Sequence, residues 1–262
     1  MYPSPKGVND ERMRLLLAAM QCEKGDLEGN LRSHQDLAHE AASNGCDFAL
    51  FPEMSLTGSV DPTSNPERLI SLDHPAIVEL TETSSATGVG VCIGLAERGP
   101  QGDAHITQLV IDQGRCLGVQ RKRHLGDGEE SFSPAHGALV CELRGTRIAI
   151  AICAEAGFDS PFDLAAERGA QLVFFPAAPG LYGRRSDDAS WQKGFSWWED
   201  CSLSDARRHA LRCGLFVALA GQAGSTVDED FPGLAALVGP EGDVRARLPD
   251  WRAGTLVVEV PL

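Results

Sequence analysis

The 262-residue chain lacks several features that would point directly to a function. Positive charge is scarce: 23 Lys and Arg face 37 Asp and Glu, which leaves a formal net charge of −14. Phosphate backbones and anionic lipid surfaces attract clustered Lys and Arg, so this balance argues against nucleic-acid and membrane partners. The apolar run at residues 15–20 is too short for a membrane span or a secretory signal. We therefore expect a cytoplasmic protein.

Several enzyme and metal-binding motifs are absent as well. None of the eight cysteines stands in a CxxC pair, and the seven histidines show no HExxH spacing, so zinc and thioredoxin-like sites are not expected. Neither GxxxxGK[ST] nor GxSxG occurs, which argues against P-loop and serine-hydrolase sites. Gly88, Gly90 and Gly94 lie in a strand pattern with no helix after them, so they do not predict a dinucleotide loop. We expect the cysteines to be reduced, and most of them to be packing residues.

The remaining pattern alternates short apolar runs with segments of helical spacing. Paired strands joined by turns and interleaved with helices predict a mixed sheet in an α/β protein. Residues 180–200 are interpreted as a long polar insertion that carries tryptophans, and Pro176 is expected to end the strand before it. Predicted helices cover residues 29–44, 75–86, 160–168 and 205–213; predicted strands cover 14–20, 46–51, 89–95, 106–111, 117–122, 140–143, 146–153, 171–175, 215–220, 235–238 and 255–260.

Three of these strands end in chemically active side chains. Glu53, Lys122 and Cys153 each follow an apolar run. Ligands of α/β proteins bind at the carboxyl ends of strands, so the three side chains are candidates for one shared pocket. Each has an ordinary explanation when taken alone, as a solvated turn residue, a lysine reaching water or a core cysteine.

The residues around these three positions form recognisable blocks. They read FPEMSLTG at residues 51–58, RKRHL at 121–125, CAE at 153–155 and GAQLVFFPAA at 169–178. In order and spacing they resemble the carbon–nitrogen hydrolase (nitrilase) superfamily, whose blocks are FPE-x-x-x-x-G, RK-x-HL, C-x-[DE] and GA-x-L-x-x-x-PAA. The chain has Ala154 where an aromatic residue is often found, and Glu155 in place of the commoner Asp. The resemblance runs over nearly the whole chain.

The resemblance implies an architecture and a reaction. The fold would be an α-β-β-α sandwich of two mixed sheets with helices outside, formed by one domain over residues 12–262. The substrate would be a small-molecule amide or nitrile, with no metal, no organic cofactor and no nucleic-acid or membrane partner. A homo-oligomer, commonly a homodimer, would be the assembly.

The resemblance also assigns roles to residues. Glu53 would be the general base, Cys153 the nucleophile, and Lys122 with the Ala154 backbone N–H the donors to the oxyanion. A second glutamate, which is either Glu129 or Glu130, would hold Lys122. The sequence does not choose between these two.

Substrate choice stays open at this stage. Hydrolysis of a linear amide is the first hypothesis, with N-carbamoyl or nitrile hydrolysis on the same residues as alternatives. A catalytically silent binding protein on the same fold is the hypothesis from another class. Within the expected insertion, Arg184 or Arg185 could bind a substrate carboxylate or be plain surface charge, and Trp197 and Trp198 could be core or pocket wall.

Overall fold

The structure is a computed structural model that describes residues 12–262. Four α-helices in that range are α1 (Leu27–Ser43), α2 (Pro75–Thr87), α3 (Ser160–Glu167) and α4 (Asp188–Cys213). The strands are β1 (Arg12–Ala19), β2 (Phe48–Leu50), β3 (Gly90–Arg98), β4 (Ala104–Asp112), β5 (Arg115–Arg121), β6 (Val140–Leu143), β7 (Thr146–Ile150), β8 (Leu172–Ala177), β9 (Phe216–Gly221), β10 (Ala223–Ser225), β11 (Asp230–Pro232), β12 (Ala235–Val238), β13 (Val244–Arg247) and β14 (Gly254–Pro261). Short 3₁₀ segments lie at Pro66–Arg68 and Cys153–Gly157.

Two six-stranded sheets organise these elements. Sheet I has the strand order β14-β1-β2-β3-β4-β5, and sheet II has the order β13-β12-β9-β8-β7-β6. In sheet I, β1, β2 and β3 run parallel, while β14, β4 and β5 pair antiparallel with their neighbours. In sheet II, β7, β8 and β9 are the parallel strands and the outer pairs are antiparallel. Both sheets are therefore mixed, which confirms the predicted α/β class.

The sheets pack face to face, and helices cover their outer faces. Because side chains alternate along a strand, β1 sends Leu15 and Leu17 into the core between the sheets and Leu16 towards the helices. On the outer face of sheet I, α1 and α2 pack apolar residues such as Leu80. On the outer face of sheet II, α3 and α4 bury residues such as Phe162. The predicted α-β-β-α sandwich is confirmed.

Pro176 does not end its strand, contrary to the sequence-based expectation. Strand β8 continues to Ala177, and Pro176 lies opposite Ala220 of β9. The pairing of β8 with β7 ends at Phe174, whose carbonyl accepts the Ala151 N–H. Backbone groups two residues apart point to the same side of a strand, so the backbone nitrogen of Pro176 faces β7, as the Phe174 carbonyl does. The β7–β8 ladder has already ended at that point. No hydrogen bond is lost there by the missing N–H.

The predicted insertion at 180–200 is wrong for its second half. Helix α4 begins at Asp188, seventeen residues before the predicted start, and runs unbroken to Cys213. The Asp187 carboxylate caps it by accepting the Ser190 N–H at 2.8 Å. The first half of α4 is polar and rich in tryptophan, so its helical period is not evident in the sequence. In the structure its buried residues recur mostly every three or four positions. They are Gly194, Phe195, Trp198, Ser202, Ala206, His209 and Ala210. Strands β10, β11 and β13 were not predicted either.

Candidate active site

Glu53 lies in the segment at residues 52–57 that follows β2, called here the Glu53 segment. This segment runs beside β3 after regular pairing has stopped, and side chains replace part of the missing ladder. Ser55 Oγ accepts the Gly94 N–H at 3.1 Å, and Thr57 Oγ1 accepts the Ala96 N–H at 2.9 Å. Glu53 is thereby held in the buried space between the two sheets.

Lys122 directly follows β5, at the far edge of the same sheet. Its N–H continues the ladder by donating to the Ile106 carbonyl at 2.8 Å. The side chain turns inward and is fully buried. The ammonium donates to Glu53 Oε1 at 2.7 Å and to Glu129 Oε1 at 2.6 Å. Of its three N–H donors, two are used by carboxylates, which leaves one for a ligand.

Cys153 comes from sheet II, two residues beyond the last β7–β8 backbone contact at Ala151. It opens the 3₁₀ segment Cys153–Gly157, called here the Cys153 turn, and has a φ of 45°. A non-glycine residue in this left-handed region carries strain of about 1–2 kcal/mol, which is typical of functional turns. The first backbone hydrogen bond of the turn runs from the Glu155 N–H to the Ile152 carbonyl. Ala154 lies one residue before that donor.

Glu155 connects the Cys153 turn with the end of β5, where Lys122 lies. Its carboxylate accepts the Ile152 N–H at 2.8 Å and the Arg123 N–H at 3.0 Å. The Arg123 guanidinium adds a contact of 3.1 Å. One fully buried carboxylate therefore connects the residue before Cys153 with the residue after Lys122. This contact of Glu155 was not predicted from the sequence, where the sole signal for it was the arginine that follows Lys122.

Buried charge sets the protonation states in this cluster. Burial raises the pKa of Glu53, an effect that Lys122 opposes and Glu129 reinforces. Burial and the negative charge of Glu53 raise the pKa of the Cys153 thiol. Burial by itself would lower the pKa of Lys122, but the charges of Glu53, Cys153 and Glu129 raise it above its ordinary value. At neutral pH the lysine is thus an ammonium and the cysteine a thiol that needs a base.

The two glutamates that the sequence left open are in different surroundings. Glu129 bridges Lys122 and the Gly126 N–H, which donates to Oε2 at 2.6 Å. Glu130 is exposed, and its carboxylate accepts the nearby Gly128 N–H at 3.1 Å. Glu129 is the residue that contacts the lysine.

A cavity of about 280 Å³ opens onto Cys153 and is called here the inner cavity. Helix α4 supplies Trp197, Trp198, Ser202 and Asp205 to its wall, none of which the sequence analysis placed there as a helix face. Both tryptophans border the cavity. Trp198 is buried and belongs to the core, whereas Trp197 is about half exposed. Ala178, at the end of β8, donates its N–H to Glu53 Oε2 at 3.1 Å and also lines the cavity.

Within residues 12–262, no group of three or more His, Cys, Asp or Glu side chains is arranged to hold a metal ion. In the same range, no helix is both long enough and apolar enough to cross a bilayer.

Comparison with known proteins agrees with the fold. The amidase from Nesterenkonia sp. superimposes with a TM-score of 0.80 at 26% identity, covering 97% of this chain and 92% of that one. A glutamate-to-glutamine variant of that amidase shows covalent addition of the acetamide moiety of fluoroacetamide at the active site cysteine. N-carbamoylputrescine amidase from Solanum tuberosum is 24% identical over 271 residues, which cover 96% of this chain and 88% of that protein.

A formamidase from Pseudomonas syringae pv. tomato is 32% identical over 132 residues, 49% of this chain. That match spans about two fifths of the formamidase, since it covers 39% of its length. The family model of carbon-nitrogen hydrolases matches residues 16–262. The two mixed sheets with helices outside, which superimpose on the Nesterenkonia amidase, agree with that family match. The chain therefore belongs to the carbon-nitrogen hydrolase family.

Proposed function

We propose that this protein hydrolyses the C–N bond of a small linear amide, with Cys153 as nucleophile, Glu53 as general base and Lys122 as the cation that stabilises the oxyanion. The observation that carries the proposal is the buried contact of the Lys122 ammonium with two carboxylates beside the Cys153 thiol. Burying three charges is costly unless they are paired, so such a cluster at a cavity favours catalysis over packing.

The first half of the reaction releases ammonia or an amine. Glu53 takes the thiol proton as sulfur attacks the carbonyl carbon, forming a C–S bond and a tetrahedral oxyanion. The remaining N–H of Lys122 and the Ala154 N–H are the proposed donors to that oxygen. Protonated Glu53 then passes its proton to the nitrogen, the C–N bond breaks, and a thioester stays on Cys153.

The second half restores the enzyme. Glu53 takes a proton from water, whose oxygen attacks the thioester carbon. The tetrahedral intermediate collapses, the C–S bond breaks, and Glu53 returns the proton to sulfur. The carboxylic acid leaves, and only protein side chains and water have taken part.

Three variants test this mechanism. Cys153→Ala should abolish ammonia release from short amides, and Glu53→Gln should lower kcat/KM by about 10²- to 10⁴-fold. Cys201→Ala, which removes an exposed thiol on α4, is the matched control and should keep wild-type activity. Mass spectrometry of protein quenched during turnover should find an acyl increment on the Cys153 peptide. Ammonia release by folded Cys153→Ala would refute the mechanism.

N-carbamoyl hydrolysis is the second candidate, favoured by the relative from Solanum tuberosum that matches almost the full chain. Nitrile hydrolysis uses the same residues. A screen of linear amides, N-carbamoyl amines and nitriles, read by ammonia release, separates the three reactions.

A silent binding protein on this fold makes the opposite prediction about cysteine reactivity. In an enzyme, iodoacetamide should label Cys153 selectively and more rapidly as pH rises through the pKa of Glu53. Uniformly inert cysteines together with absent turnover would favour the binding protein.

The proposal treats residues 12–262 as one catalytic domain. A cytoplasmic location and a homo-oligomeric assembly, most simply a homodimer, remain predictions. Light scattering coupled to size exclusion measures the assembly directly.

A further inference from the structure

A second cavity, called here the outer groove, adjoins the inner cavity. It has a volume of about 600 Å³ and lies between the segment after β8 and the first turns of α4. Gly180, Tyr182 and Trp197 line both cavities. The outer groove is thus continuous with the space in front of Cys153.

The walls of the outer groove are apolar and unusually exposed. Tyr182 is 80% exposed and Trp197 is 47% exposed. Leu181 lies buried beneath them. Large apolar side chains left open beside a catalytic cavity indicate a surface that a ligand covers.

Two cations line the same groove, Arg185 from the segment before α4 and Lys193 from its first turns. No carboxylate among residues 12–262 forms an ion pair with either side chain, although the chain carries a large excess of acidic residues. The Arg185 guanidinium donates to the Leu181 carbonyl oxygen. Its neighbour Arg184 is committed elsewhere, to Asp230 at 3.5 Å and the Val227 carbonyl at 2.9 Å.

We propose that the outer groove binds the distal part of the substrate, an apolar stem that ends in a carboxylate held by Arg185 and Lys193. The inference rests on the proposed amidase function, because it places the scissile amide of the same molecule at Cys153. The inner cavity has room for the amide and its first carbons, and a longer stem passes between Tyr182 and Trp197 into the outer groove.

Charge in the two cavities supports this orientation. Acidic residues border the inner cavity, but Glu129 is paired with Lys122 and Asp205 with Arg208 at 3.2 Å. Asp127 also lines the inner cavity, and its negative charge favours a positive group at that end of the substrate. In the outer groove the lining charges are both positive, so an anion is the complementary end group there.

A matched series of amides tests the inference. At two chain lengths, for instance five and eight carbons, the primary amide carries a methyl, a carboxylate or an ammonium group at its far end. The carboxylate compound should have a kcat/KM at least about tenfold above the methyl compound, because a hydrogen-bonded charge contributes that much binding. The gain should lie in KM, since binding far from the reacting bond is the same in ground and transition states.

Variants then assign the gain to the two cations. Arg185→Gln and Lys193→Gln should each raise KM for the carboxylate compound only, and the pair Arg185→Glu with Lys193→Glu should shift preference to the ammonium compound. Arg207→Gln is the control, since Arg207 lies on the same helix α4 but donates to the Gly242 carbonyl outside the groove.

The outcomes separate the inference from the function on which it rests. Turnover of the methyl compound that depends on Cys153, without a carboxylate preference, overturns the inference and leaves the amidase intact. Preference for the ammonium compound in the wild-type protein also overturns it. Absence of turnover and of Cys153 acylation with every amide overturns the proposed function itself.

Discussion

Glu129 and Glu130 show how position decides the role of identical side chains. They are neighbours in sequence, yet the first is 2.6 Å from the Lys122 ammonium and the second faces solvent. The negative charge of Glu129 also raises the pKa of Glu53, whereas the shared Lys122 lowers it. We therefore propose Glu129 as a positioning residue that tunes the proposed base, and we propose no such role for its exposed neighbour.

Replacing each glutamate separately tests that difference. Glu129→Gln should lower kcat/KM by about 10- to 100-fold, because a charged hydrogen bond to Lys122 is lost. Glu53 must be ionised to act as base, so activity rises with pH through its pKa. Removing the Glu129 charge lowers that pKa, and the acid limb of the pH profile should move to lower pH. Glu130→Gln should leave the rate and the acid limb unchanged; equal effects of both variants would contradict the assignment.

At the scale of elements, the close approach of β3 to the Glu53 segment determines the position of Glu53. Gly94, which the sequence analysis set aside as part of an imperfect phosphate-loop pattern, has a packing role here. A Cβ added at Gly94 would lie 2.4 Å from the Met54 backbone nitrogen and 2.6 Å from the Pro52 carbonyl oxygen. Backbone on both sides of Glu53 would have to move, because the two nearest atoms belong to the main chain; the third, Gln108 Nε2 at 2.7 Å, belongs to a side chain.

Gly94→Ala should therefore impair catalysis without touching a reacting group. A displacement of the base of about 1 Å costs on the order of 100-fold in kcat/KM. Gly254→Ala on β14 is the matched control, since its Cβ would meet nothing closer than 3.9 Å. Circular dichroism should show both variants folded. Wild-type activity in folded Gly94→Ala would exclude this packing role.

At the scale of the whole molecule, the site is divided between the two sheets. Sheet I positions Glu53 and Lys122, while sheet II positions Cys153 and the Ala178 N–H that binds Glu53. The core between the sheets thus sets the distance between Glu53 and Cys153. Phe48 of β2 and Phe174 of β8 stack across that core with ring centroids 5.3 Å apart.

Removing one of these rings should lower the stability of the folded protein. Phe174→Ala should lower the free energy of unfolding by about 3–5 kcal/mol, the usual cost of emptying a buried phenylalanine site. Phe158→Ala, at a ring that is 44% exposed, should cost much less. In a urea titration of wild-type protein, activity and secondary structure should be lost together. A Phe174→Ala midpoint equal to that of Phe158→Ala would contradict this account.

The amino-acid sequence by itself determined the family, the α/β class and the order of most elements, because blocks such as FPE and RKRHL and the alternation of apolar residues are properties of the local chain. It also named Glu53, Lys122 and Cys153 as candidates for one pocket. It did not determine that Glu129 rather than Glu130 contacts Lys122, that α4 begins at Asp188, or that Arg185 rather than Arg184 lines the outer groove. Local periodicity reports which face of an element is apolar, whereas the direction in which one of two adjacent side chains points is decided by contacts outside the local pattern. For Arg184 that contact is the distant Asp230. For Glu129 it is Lys122, which lies nearby in the chain but is itself held by the distant Glu53. Only the tertiary structure brings these partners together.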